Sequence, residues 1–311
     1  MTVLCASDLR PVRAGGIDPL IRAAGDAGAT GIHLGGGVWL ADLEGVIPAL
    51  LRAGLAVPSV TLPLAPRGLP AKKRLPALAA ADREERGAAI ALATEGLEAT
   101  VAAGVRWALL DFGPVTLPVA GAEVALAFAR RELGSRDAGG ADLAHAISAR
   151  KAFAERFADA YRWSLERLVR LAEARGVTLI LPLGASPWEV PSAREVLALL
   201  ADFSGAALAA AWEPGRLTAA RALGLRVPEE RVAALAAAAG FALESDAVGL
   251  QAGYLPGLGE RDEALPRRPE LPRDAPIVVT GFPDSTDAEI ARAVAAVSAT
   301  YEAAADDARS R

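Results

Sequence analysis

Short apolar runs alternate along this chain with longer stretches in which Ala, Leu, Arg and Glu recur at helical spacing. The alternation predicts βα units around a parallel sheet, because strands buried on both faces read as continuous apolar segments. Eight runs can be marked: Thr2 to Ala6, Thr30 to Leu34, Ala56 to Leu62, Arg106 to Asp111, Val177 to Leu181, Ala206 to Ala211, Ala247 to Gln251 and Ile277 to Thr280. The sixth is the weakest, since Ala has poor strand propensity. Helices are predicted over Pro19 to Ala27, Arg83 to Ala103 and Ala141 to Arg175, each closed by a glycine (Gly28, Gly104, Gly176) in the manner of a C-cap. A fourth ends near Gly54, and a last one starts, capped, near Ser285 or Thr286. Eight strands with intervening helices predict a (β/α)8 TIM barrel. Residues 1–305 would form one domain, and 306–311 a fraying tail.

A doubly wound open sheet is the rival architecture. It is disfavoured because no glycine-rich turn of the dinucleotide-binding type follows the first strand. Gly35-Gly36-Gly37, after the second strand, lacks the required spacing and reads as a flexible βα loop. Three segments exceed a minimal barrel: Pro63 to Pro76, Pro114 to Gly140 with a helical piece at Glu123 to Leu133, and Pro256 to Pro276. Following strands as they do, they are expected over the C-terminal face, where function sits in such barrels.

Composition narrows the function classes. The chain of 311 residues is 52% hydrophobic, much of it Ala, which favours close helix packing over a bulky aromatic interior. With a net charge of −5 and a pI of about 5.3, no global field attracts nucleic acid or an anionic membrane. The run Lys72-Lys73-Arg74 reads as a solvated loop. A single cysteine, Cys5, excludes an intrachain disulfide and a cysteine-rich zinc site, and suits a reducing cytoplasm. Asp8 and Arg10 interrupt the N-terminal apolar run, against a signal peptide. No apolar stretch approaches the ~18–20 residues that span a bilayer. A soluble cytoplasmic protein is expected.

Four local patterns carry a resemblance. Leu168 to Leu179 (LVRLAEARGVTL) passes from helix to strand, Glu213-Pro214-Gly215-Arg216 follows the sixth strand, Leu255 to Glu260 (LPGLGE) follows the seventh, and Ala275 to Val279 (APIVV) enters the eighth. Together they resemble the xylose-isomerase-like superfamily of sugar phosphate isomerases/epimerases and endonuclease IV type repair enzymes. The resemblance implies a TIM barrel and a divalent metal held by Glu, Asp, His and Glu from strands five to eight. At the corresponding positions this chain has Pro182, Glu213 with Arg216 in place of the His, Gln251, and Thr280. One carboxylate cannot supply the several ligands a hard divalent ion or a zinc site needs. With only His33 and His145 in the chain, a degenerate, metal-free site with no cofactor is expected. A repair nuclease is disfavoured, since it needs a metal cluster and a basic DNA face.

On this fold the polar residues at the strand ends would ring the barrel mouth: Asp8, His33, Asp111, Glu213, Arg216, Gln251, Thr280 and Asp284, with Trp188 and Tyr254 on nearby loops. Glu213 with Asp111 or His33 is the candidate acid/base set. Asp8, Arg216, Gln251, Tyr254 and Trp188 are candidate substrate contacts. Each has a structural alternative: His33 as a hydrogen-bonded core histidine, Asp111 as an Asx turn, Glu213–Arg216 as a local ion pair, Asp284 as a cap. Three readings stand open. The chain is a barrel binding a small sugar-like or acidic ligand, a metal-independent isomerase, epimerase or lyase, or a non-catalytic scaffold whose Ala-rich helices contact a partner or a second copy.

Overall fold

The structure, a computed structural model, describes residues 2–12, 16–67, 69, 74–117, 119, 140–225, 227–266 and 269–309. Eight parallel strands close into a barrel: β1 (Thr2–Ala6), β2 (Gly31–Leu34), β3 (Ala56–Leu62), β4 (Trp107–Leu110), β5 (Thr178–Leu181), β6 (Leu208–Trp212), β7 (Ala239–Glu244) and β10 (Pro276–Val279). Between β7 and β10 a short antiparallel hairpin, β8 (Asp246–Val248) and β9 (Gln251–Tyr254), stands outside the barrel. The described helices are α1 (Asp18–Asp26), α2 (Leu43–Arg52), α3 (Arg83–Val101), α4 (Gly140–Ala152), α5 (Ala154–Arg175), α6 (Ala193–Asp202), α7 (Pro214–Ala222), α8 (Glu229–Ala237) and α9 (Asp287–Arg309).

Strand alternation divides the core in two. Leu4, Ala6, Leu109, Ile180, Ala211, Phe241 and Val278 point inward and fill the barrel. Their neighbours, including Cys5, Ala108, Leu110, Leu179, Leu181, Trp212, Ala242 and Val279, point outward and pack under the helices. Each large aliphatic side chain so buried contributes about 1.5–3 kcal/mol of hydrophobic stabilisation before entropy is counted. The Ala-rich β6 is a strand because its neighbour demands small residues. A Cβ on Gly240 of β7 would sit 2.7 Å from the Cβ of Ala209.

Local signals set the helix ends. The Asp82 carboxylate accepts the Glu85 N–H at 2.8 Å to start α3, and Gly176, at φ 66°, closes α5. Thr286 and Glu289 exchange hydrogen bonds at the start of α9, near the expected position. That helix runs to Arg309, into the segment expected to fray.

Three expectations are corrected. The seventh barrel strand is Ala239–Glu244, not Ala247 to Gln251, whose residues fall in the β8–β9 hairpin and its turn. Ala239 and Gly240 continue an Ala-rich helical stretch and hide the strand, while a four- or five-residue apolar run cannot by itself distinguish a barrel strand from a hairpin arm. The long helix of Ala141 to Arg175 is two helices, parted at Phe153. The Gly35-Gly36-Gly37 cluster is not free loop. A Cβ on Gly35 would meet the Asp8 carboxylate at 2.8 Å, and one on Gly37 the Ser7 carbonyl at 2.5 Å, so these glycines let the loop lie against the end of β1. The expected helical piece Glu123 to Leu133, and Lys72 and Lys73, lie outside the described residues.

Candidate functional site

Continuing the inward alternation one step past each strand places the residues that face the C-terminal mouth. Asp111 follows Leu109, Pro182 follows Ile180, Glu213 follows Ala211, and Thr280 follows Val278, while Asp8 lies in the 3-10 turn Ser7–Leu9 just past β1, its carboxylate against Gly35. On β7 the last inward residue is Leu243, half-buried and apolar, and the same step past the strand reaches Ser245, which is buried. On β3 the mouth-side inward position is Thr61.

Glu213 is 1% exposed, and both its oxygens are engaged. One accepts the backbone N–H of Leu183, and the other lies 3.2 Å from Nε of Arg216, one turn along α7. The Arg216 guanidinium also donates to the Leu183 carbonyl at 2.8 Å and to Glu189 at 2.9 Å, and Glu189 in turn accepts the Ala185 N–H at 2.8 Å. Glu213, Arg216 and Glu189 therefore clamp the β5–α6 loop onto the start of α7. Burial raises the Glu213 pKa above the ordinary carboxylate range, with Arg216 and the Leu183 N–H pulling the other way. Burial works against the charge of Arg216, but Glu189, Glu213 and Asp111 around it raise its pKa.

His33 is 2% exposed and points into the barrel, edge-on to Phe241 at 5.7 Å. Nδ1 pairs with the Ser59 hydroxyl at 2.9 Å and Nε2 with the Thr61 hydroxyl at 2.8 Å. Burial lowers its pKa to about 3, so the imidazole is neutral near pH 7. Asp111 is exposed and accepts the Gly113 N–H at 2.9 Å, an Asx turn, while lying near enough to bias both Glu213 and Arg216. The structure thus brings Glu213, Arg216 and Asp111 together and seats His33 deeper, beneath Thr61.

The remaining expected residues are more scattered. Trp188 is 5% exposed, and its carbonyl accepts the Val115 N–H at 2.7 Å, tying the β5–α6 loop to the segment after β4. Gln251, expected at a barrel-strand end, and Tyr254, expected on a nearby loop, both lie in β9 of the hairpin, which packs against α7. Tyr254 is half-buried, edge-on to Phe282 at 4.9 Å. Thr280 is half-buried, and Asp284 is exposed in the turn before α9.

Sequence reasoning missed Ser59, Thr61 and Glu189. The first two occupy alternate positions on β3, a spacing that marks one strand face. Glu189 carries no such signal. It also missed Glu244, which is 2% exposed on the outward side of β7 and bound by the Tyr301 hydroxyl at 2.7 Å and by Arg261 at 3.0 Å. Among the described residues no three His, Cys, Asp or Glu side chains converge as a metal site would require, and no helix is long and apolar enough to cross a membrane.

No protein-family model matches the chain, and no curated protein is significantly similar to it. Solved structures do match over nearly the full length. An L-ribulose 3-epimerase shares 14% identity over 99% of this chain and 97% of its own, with a TM-score of 0.62. A D-tagatose 3-epimerase-like protein shares 11% over 99% and 100%, with a TM-score of 0.65. A putative xylose isomerase from Rhodospirillum rubrum shares 15% over 97% and 99%, with a TM-score of 0.60. The chain shares the (β/α)8 barrel fold of these structures.

Proposed function

We propose that this barrel binds a small polyhydroxylated or acidic ligand, of the kind handled by sugar epimerases of its fold, at the C-terminal mouth and without a divalent metal. The observation that carries the reading is the state of Glu213. It is the one acidic side chain at the four positions where the fold family supplies ligands, and its oxygens are taken by Leu183 and by a fixed cation, Arg216. A guanidinium at 3.2 Å repels a second positive charge, and Pro182, Leu243 and Thr280 offer no carboxylate or imidazole to offset that repulsion. The residues present do not fit a metal ion. What remains at the mouth is a set of hydrogen-bonding groups: Asp8, Thr61, Asp111 and Thr280.

A second reading, metal-independent proton transfer, draws support from the pairing of Glu213, whose pKa burial raises, with exposed Asp111 across the same rim. His33 suits it poorly as a base, because its two nitrogens are satisfied by hydroxyls and burial disfavours its charged form. In both readings Arg216 orients Glu213 and excludes a cation.

Elemental mass spectrometry of the purified protein, before and after incubation with Mn, Co, Mg and Zn salts, tests the proposal. The expected result is no stoichiometric ion and no rise in melting temperature. A one-to-one ion that raises the melting temperature overturns it. Thermal shift against ketopentoses, ketohexoses and sugar acids then identifies ligands, and Asp111→Asn should weaken whichever binds.

A further inference from the structure

A cavity of about 630 Å³ lies beside the Glu213–Arg216–Glu189 clamp, walled by α4, α5, the β5–α6 loop, α6, α7 and the first turn of α8. Its size is that of a small-molecule site. Six Lys or Arg side chains line it against three carboxylates, in a chain whose net charge is −5. Half of these cations are already committed. Arg150 is held by both oxygens of Glu195, at 2.7 and 2.5 Å, and Arg162 pairs with Asp202 at 2.9 Å, while Arg216 belongs to the clamp on Glu189 and Glu213.

The other three, Lys151, Arg194 and Arg231, make no ion pair among the described residues. They come from the last turn of α4 and the first turns of α6 and α8, three separate elements that converge on one cavity. Glu155 is the one lining carboxylate outside the pairs. Between the charges the wall is apolar, with Ile147, Leu217 and Val227 among its residues.

We propose that this cavity binds a small amphiphilic anion, its head held by Lys151, Arg194 and Arg231 and its apolar body lying along Ile147, Leu217 and Val227. An anionic head complements three cations that line the cavity and make no ion pair among the described residues, whereas a cationic ligand would be repelled by them. The apolar wall selects against a bare ion, which would bury nothing against it. Arg194 and Arg231 supply planar donor forks suited to a carboxylate or phosphate. The cavity shares Arg216, Glu189 and Leu183 with the clamp on Glu213, but Lys151, Arg194 and Arg231 stand apart from that clamp, on α4, α6 and α8.

Isothermal titration calorimetry with sodium octanoate, inorganic phosphate and 1-octanol as probes tests the assignment. Octanoate should bind one-to-one, more tightly than phosphate or octanol. The double variant Arg194→Gln/Arg231→Gln should weaken it by about ten- to hundredfold, the worth of one or two charge-assisted contacts, with the melting temperature of the free protein unchanged because both side chains are exposed. Asp111→Asn, at the mouth, should leave octanoate binding as it is. Absence of octanoate binding to the intact protein, equal binding of octanol, or full octanoate affinity in the double variant would each overturn the proposal.

Discussion

Acidification should destabilise the protein through His33, by an amount the structure lets one work out. In the unfolded chain this histidine titrates near its ordinary ~6.5. In the barrel, burial among Phe241 and the inward aliphatic residues lowers it to about 3. A folded pKa below the unfolded one means the unfolded state binds the extra proton. The stabilising contribution is therefore complete above ~6.5 and is lost as the pH falls from there toward about 3. Between pH 7 and pH 5 the loss is roughly 2 kcal/mol. With an unfolding entropy of ~2.1 cal/mol/K per residue over 311 residues, that corresponds to a drop of about 3 °C in melting temperature. Other groups titrate in the same range, so the comparison is with His33→Gln. Urea unfolding of both proteins at pH 7 and pH 5 should show the wild type losing about 2 kcal/mol more than the variant. Parallel pH dependences would refute the argument. So would a His33 ring-proton resonance that titrates near the ordinary value in the folded protein.

Two further outcomes follow from the buried carboxylates. Glu213→Gln keeps an acceptor for the Leu183 N–H but sets an amide against Arg216 in place of a charge. Because Arg216 retains Glu189 and is partly exposed, the loss should be about 1–3 kcal/mol, or roughly 2–5 °C in a calorimetric scan. No change would mean that Glu213 does not anchor the loop. Tyr301→Phe removes the hydroxyl that donates to buried Glu244 at 2.7 Å and should cost about 1–3 kcal/mol, read as earlier amide exchange in α9.

Much of the architecture is legible in the chain itself. Strands such as Pro276–Val279 and Trp107–Leu110 are apolar throughout because a barrel strand is buried on both faces, and Gly176 closes α5 because it alone adopts φ 66° without strain. The positions of Asp111 and Glu213 at the mouth follow from strand alternation alone. What the sequence could not decide is anything that depends on a partner distant along the chain. The seventh strand is hidden because it opens on Ala239 and Gly240, and Gly240 lies where a Cβ would collide with Ala209 of β6. Glu213 and Arg216 are read as a local pair, but their third member, Glu189, joins from the next loop over, and only the closed barrel puts it there. His33 is neutral because the closed barrel buries it, and its two nitrogens are met by Ser59 and Thr61, 26 and 28 residues away. Burial and long-range pairing set the charge of a side chain, and both belong to the tertiary fold.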